Sequence, residues 1–239
     1  MSQLNLLPSL SRRALISGLV AAPVVLQFGH ARAGGAYLFP LGVAAGDPWP
    51  DGFVIWTRLA VDPIAPDGFG GMSGPVDLLW EVSSDETFTR IAASGRAVAD
   101  ASTAHAVHVE VQGLHPGRPY WYRFTAAGQQ SPVGRARTAP APNAAVDRIR
   151  LGVASCSNWE VGHFSAYGHM ADEAPDLTLF LGDYIYEYSR SGERSATNVR
   201  NYGFEEATTL ACYRNRYALH RTDRKRTRLN SSHLLISYA

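Results

Sequence analysis

The sequence predicts two architectures in succession: an antiparallel β-sandwich over residues 38–140 and, after a linker at 141–147, the opening of an α/β domain over residues 148–222. Three observations predict this. Apolar residues in the first segment alternate with a period of two between Gly/Pro/Asp turns, which is the pattern of strands with one buried face. Thr138-Ala139-Pro140-Ala141-Pro142-Asn143-Ala144-Ala145 is a Pro/Ala stretch with no periodicity. Beyond it a strand, a helix and a second strand follow within about 35 residues, the βαβ unit of a parallel sheet.

In the first segment, Phe53-Val54-Ile55-Trp56-Thr57-Arg58-Leu59 is rich in β-branched and aromatic residues. Leu78, Trp80 and Val82 alternate with Leu79, Glu81 and Ser83, and Val107, Val109 and Val111 with His108, Glu110 and Gln112. Turns are expected at Gly46-Asp47-Pro48, Pro50-Asp51-Gly52, Pro66-Asp67-Gly68 and His115-Pro116-Gly117. The run from Leu114 to Phe124 resembles the late-strand corner of a fibronectin type III-like sandwich. Nothing in this segment has metal-ligand spacing, and its aromatic residues read as core.

In the second segment, Ile149, Leu151 and Val153 mark a strand ending at Ala154-Ser155-Cys156. Phe164, Tyr167, Met170 and Ala174 recur at helical spacing until Pro175. Leu177-Thr178-Leu179-Phe180-Leu181 is a continuous apolar run, read as a strand buried on both faces, and Gly182-Asp183 follows it. Cys156 and Asp183 therefore both lie just past the carboxyl ends of neighbouring strands, where open α/β sheets place ligand sites. A further helix is expected from about Glu205 to Arg221, with Cys212 as a core residue.

The ends read differently. Ser11-Arg12-Arg13-Ala14-Leu15-Ile16, an apolar stretch to Phe28 and Ala31-Arg32-Ala33 make a twin-arginine export signal over residues 1–33, cleaved after Ala33. Its apolar run is shorter than the roughly 20 residues of a membrane span, so no stable membrane anchor is expected. The partner it implies is the twin-arginine translocase, and the destination is the bacterial periplasm or the exterior. At the other end, residues 223–239 run Asp-Arg-Lys-Arg-Thr-Arg-Leu-Asn-Ser-Ser-His and on, and contain the single lysine, Lys225, of a chain whose other 21 basic residues are all arginine. This stretch resembles the translation of a sequencing adapter, a recurrent contaminant at broken gene ends. The alternative is a genuine basic tail for acidic lipid or nucleic acid. Without the two ends, residues 34–222 carry 15 basic and 20 acidic residues, so nucleic-acid binding is not expected. Two cysteines exclude a disulfide-stapled miniature fold.

Gly182-Asp183-Tyr184-Ile185-Tyr186-Glu187 is the motif that carries chemistry. A carboxylate at a strand end can bridge two metal ions, and a phenol three residues on can turn back to the same centre. Glycine before the aspartate allows a tight turn and leaves room for metal and substrate. The pattern Gly-Asp-x-x-Tyr is that of purple acid phosphatases.

With these motifs in order, the chain resembles the alkaline phosphatase D (PhoD) family over residues 38–222. The resemblance rests on Gly42-Val43-Ala44-Ala45-Gly46-Asp47-Pro48, Val54-Ile55-Trp56-Thr57-Arg58-Leu59, Gly152-Val153-Ala154-Ser155-Cys156-Ser157, Asp183-Tyr184-Ile185-Tyr186-Glu187 and Tyr213-Arg214-Asn215-Arg216-Tyr217. It implies an exported alkaline phosphatase/phosphodiesterase acting on phosphate esters, with a fibronectin-like N-terminal sandwich and a calcineurin/purple-acid-phosphatase-like α/β domain. It further implies a centre of Fe3+ and Ca2+: Cys156 as thiolate to iron, Asp183 as bridging carboxylate, Tyr186 as phenolate to iron. No protein nucleophile is then needed. The family's later ligands, including an Asp-Asp-His-Glu segment, do not occur before residue 222, so the catalytic domain is expected to be truncated and this fragment inactive alone.

Other readings stay open. Cys156 is alternatively a buried thiol or a disulfide partner of Cys212. Tyr184, Glu187 and Tyr188 border the motif as outer partners or as packing, and His163 and His169 flank the first helix without ligand spacing. Arg190, Arg194 and Arg200 follow in a loop, to attract phosphate or simply solvated. The competing function is a secreted, non-catalytic binding or adhesion module built on the sandwich.

Overall fold

The computed structural model describes residues 35–190, 192–203, 206–232 and 234–237. The export signal read at Arg12, Arg13 and Ala33 lies outside the described residues. From Gly34 onward the chain is a single contact-dense unit.

Two sheets make its first half. Strands β1 (Val43–Trp49), β2 (Gly52–Arg58) and β5 (Ala106–Val111) pair antiparallel in the order β5-β2-β1. Against them lies the sheet of β4 (Ile91–Ala99), β3 (Val76–Ser83), β6 (Pro119–Ala126) and the short β7 (Gln129–Gln130), with β8 (Gly134–Arg137) also paired to β6. The expected alternation produces the core. Along β6 every second residue is buried, so Tyr120, Tyr122 and Phe124 face Phe53, Ile55, Leu78, Val82, Val107 and Val111. At the corner before β6, the Tyr120 hydroxyl accepts the His115 amide at 2.9 Å, fixing the turn. Gly46-Asp47-Pro48 is not a turn between strands. It lies within β1, where the register shifts between Gly46 and Trp49 and Asp47 has φ +46°; the extra backbone is absorbed as a bulge.

In the second half, β9 (Leu151–Ala154) and β10 (Leu177–Phe180) are parallel and joined by α1 (Ser165–Asp172), the expected βαβ unit. Helix α2 runs Leu210–Thr222 with Thr209 as N-cap, its hydroxyl accepting the Cys212 amide. It thus begins later than expected, where a capping side chain is available. Cys212 falls in its first turn and is only half-buried rather than in the core. Arg221, fully buried on α2, donates to the Leu41 and Val43 carbonyls and lies over the Trp56 ring, tying the helix to β1. Residues 224–232 form α3, which packs on α1, and β11 (Leu234–Ser237) lies parallel between β1 and β10. One six-stranded sheet, β5-β2-β1-β11-β10-β9, therefore runs through both halves.

The run Leu177–Leu181 is buried on one face only. Thr178 and Phe180 are covered, with Phe180 in a cluster that includes Ala154, Tyr167 and Tyr184. On the other face Leu151, Val153 and Leu181 are more than half exposed, because no described element packs there. Among the described residues no helix is long and apolar enough to cross a membrane.

Candidate metal centre

The site forms where β9 and β10 end side by side. Leu181 N donates to Ala154 O at 2.9 Å and Ser157 N to Asp183 O at 2.9 Å, with Cys156 N 3.4 Å from Gly182 O. The parallel pairing is thus carried past both strand ends, and Cys156 and Asp183 face each other across it. Both have positive φ, +55° and +46°, and Gly182 has +128°. Non-glycine residues in this region cost on the order of 1–3 kcal/mol each, and such strain collects at sites of function. The reason for glycine at 182 is this conformation: a Cβ there would meet nothing within 4 Å.

The three expected ligands converge. Cys156 Sγ is 3.4 Å and Tyr186 Oη 3.0 Å from the same oxygen, Asp183 Oδ2, and both donate to it. Cys156 is exposed and free, as is half-buried Cys212, so the two do not form a disulfide and Cys156 is no buried thiol. Burial, the hydrogen bond to Asp183 and the neighbouring Cys156 raise the Tyr186 phenol well above its ordinary pKa. Without a cation beside it, Tyr186 keeps its proton. A sulfur, a carboxylate oxygen and a phenol oxygen within reach of one point suit a multivalent cation. They are a partial set: among the described residues there is no group of three or more His, Cys, Asp or Glu able to hold a metal. A cavity of about 550 Å³ opens beside Cys156, lined by Ser157, Asn158, His163, Phe164 and Met170 among others.

The flanking candidates divide. His163 is exposed on the cavity wall, while exposed His169 does not line it. Tyr184 is buried and stacks on Tyr217 at 5.5 Å, a packing role. Tyr188 packs edge-on against Tyr186 at 5.4 Å. The exposed Glu187 uses its carbonyl, which accepts from Ala207 N and Arg216 Nη2. Arg190 Nη1 donates to Asn198, and the Arg194 side chain lies outside the described residues. Arg200 is a clamp: it lies 3.6 Å over the Trp159 ring and bonds Trp159 O, Gly162 O and Asp223. Sequence reasoning passed over Glu160, a fully buried carboxylate among these loops, because a single glutamate in an aperiodic stretch carries no pattern.

Two family models match the chain: the N-terminal domain of PhoD-like phosphatases over residues 25–140 and PhoD-like phosphatase over residues 151–238. The chain belongs to the PhoD-like phosphatase family. It is 48% identical over 189 residues to the protein named alkaline phosphatase D of Bacillus subtilis (strain 168), across 79% of this chain and 32% of that protein. A solved structure titled as that of PhoD superposes with a TM-score of 0.80 at 44% identity, across 84% of this chain and 38% of that one. This PhoD-like chain thus spans about a third of the length of the curated relative. The two family matches leave residues 141–150 between them.

Proposed function

We propose that this chain is the N-terminal part of an exported PhoD-type hydrolase of phosphate esters, with Cys156, Asp183 and Tyr186 as ligands of an Fe3+/Ca2+ centre. The observation that carries this reading is the convergence of the Cys156 thiol and the Tyr186 phenol on Asp183 Oδ2. Thiolate and phenolate suit a trivalent ion, and a carboxylate, with two oxygens, suits a bridge to calcium. When bound, the ions supply positive charge against the phosphate oxygens and acidify an attacking water. What this chain itself does is hold a thiol, a carboxylate and a phenol together at two strand ends and open a cavity beside them. Its hydroxyl and thiol groups need not act as nucleophiles.

In the same reading residues 38–140 are a fibronectin type III-like sandwich and 148–222 the start of a calcineurin/purple-acid-phosphatase-like domain. The two facing antiparallel sheets and the Tyr120 corner support the first, and the parallel βαβ unit with ligands at its strand ends supports the second. Residues 1–33 direct export through the twin-arginine translocase to the periplasm or beyond. A purely adhesive module has no use for thiol, carboxylate and phenol at adjacent strand ends. The deciding experiment is metal analysis and visible absorption of the complete gene product. Bound iron with a tyrosinate-to-iron charge-transfer band is expected; a folded, colourless, iron-free protein would overturn the proposal.

A further inference from the structure

We infer that Glu160 is a positioning residue that fixes Tyr186 against Cys156. Glu160 lies four residues beyond Cys156 in a loop without regular structure, yet it is fully exluded from solvent. A carboxylate buried this way is destabilising unless its oxygens are satisfied. Both are: Oε1 accepts the Ser189 hydroxyl at 2.7 Å and Oε2 accepts the Arg190 amide at 2.7 Å. Its own carbonyl accepts Val199 N at 2.8 Å, with Arg200 N at 3.4 Å, and its amide is held by Asn158 Oδ1 at 2.9 Å.

The consequence is geometric. Tyr186 sits in the middle of the segment 183–190. One end of that segment is fastened to the Cys156 loop by Ser157 N to Asp183 O, and the other by Ser189 and Arg190 to Glu160. Arg216 Nη2 and Ala207 N pin Glu187 O between them. With both carboxylate oxygens committed, Glu160 is not a ligand. It holds the loop bearing the phenol on the loop bearing the thiol, so that the donor set is assembled before any cation arrives. Its role in the reaction rests on the proposal that Cys156 and Tyr186 are ligands; the tether itself does not.

The test uses Glu160→Ala, Glu160→Gln and Ser189→Ala, each with two readouts. In the metal-free 239-residue chain, hydrogen exchange of amides 186–190 is expected to rise at least about tenfold in Glu160→Ala, with the amides of β3 and β6 unchanged. Ser189→Ala, which removes one of the two carboxylate bonds, gives a smaller rise confined to the same amides. In the complete, iron-loaded gene product, Glu160→Ala weakens and shifts the tyrosinate charge-transfer band, and Glu160→Gln, which keeps an acceptor for Ser189, restores part of it. Should Glu160→Ala fail to fold, Ser189→Ala decides. Unchanged exchange at 186–190, or a uniform rise across the chain, overturns the inference. An iron-free wild type overturns the metal reading instead and leaves the tether to be judged by the exchange alone.

Discussion

The Tyr186 hydroxyl donates to Asp183 Oδ2 at 3.0 Å, and Asp183 receives the Cys156 thiol on that same oxygen. The carboxylate therefore organises the metal-free site by collecting two protons that a cation would displace. Burial and the two acidic neighbours hold the phenol in its protonated form, so metal uptake and proton release at Tyr186 are linked.

Removing the phenol tests that link. In the complete gene product Tyr186→Phe keeps the ring that packs on Tyr188 but loses the donor oxygen. The expected outcome is loss of the charge-transfer band and a fall in iron affinity of at least the roughly 10–100-fold that loss of an outer-sphere partner costs. Thermal unfolding of the metal-free protein should be nearly unchanged. A retained band would remove Tyr186 from the ligand set.

Gly182→Ala separates conformational strain from crowding. Open space surrounds the position, but its φ of +128° is one that residues with a Cβ avoid. We expect a loss of about 1–3 kcal/mol in urea unfolding, along with displacement of Asp183. An alanine variant as stable as the parent would mean that the turn relaxes without cost.

The 239-residue polypeptide, purified as it stands, is expected neither to keep a full metal set nor to hydrolyse a chromogenic phosphate ester. Three donors converge here, one of them a phenol, and among the described residues no group of three or more His, Cys, Asp or Glu is placed to hold a metal ion. Iron-dependent turnover by this polypeptide, measured against a Cys156→Ala control, is the result that contradicts the expectation.

His220 sets a pH limit on stability. Burial and then the charges of Arg226, Arg200 and Arg216 push its pKa down from 6.5 to about 2. The folded protein keeps it neutral while the unfolded chain protonates it below about pH 6.5. The unfolded state then binds the extra proton, so stability falls as pH drops through that value. This one group contributes a loss of about 1.4 kcal/mol by pH 5.5. Chemical denaturation between pH 5 and 8 should show that slope, and His220→Asn should flatten it.

Much of the fold could be read from residue patterns, and the exceptions have physical causes. β-Branched and aromatic composition announced β2, alternation announced β3 and β5, the likeness to a fibronectin-type corner announced β6, and the strand-helix-strand pattern announced β9, α1 and β10. Strand β4 went unread because Ile-Ala-Ala-Ser-Gly-Arg-Ala-Val-Ala lacks large alternating residues; Gly95 is there because the Trp80 ring, 2.6 Å from where a Cβ would be, takes the space. The run Leu177–Leu181 misled because apolar composition reports what a strand can bury, not which faces find a partner. At the site, Cys156, Asp183 and Tyr186 stood out by residue type and position. Glu160 did not, and Arg200 was legible only as a loop arginine for phosphate or solvent, since what each does lies in which loops it joins.

Arg226 offers the last test, on the segment read as adapter-derived. Its side chain is fully buried, 3.6 Å over the Tyr184 ring and near those of Phe164 and Phe180. It bonds His220 Nδ1 and Tyr184 O, while among the described residues its Nε has no hydrogen-bond partner. A slot walled by aromatic rings favours an apolar side chain, and exchanging a buried charged group for a well-packed hydrophobic one is commonly neutral or stabilising by about 1–4 kcal/mol. Arg226→Leu should therefore raise the urea midpoint. It should also lift the His220 pKa, since Arg226 is the largest charge acting on it after burial. A marked loss of stability would show that the guanidinium belongs in this core and would count for a genuine C-terminal segment.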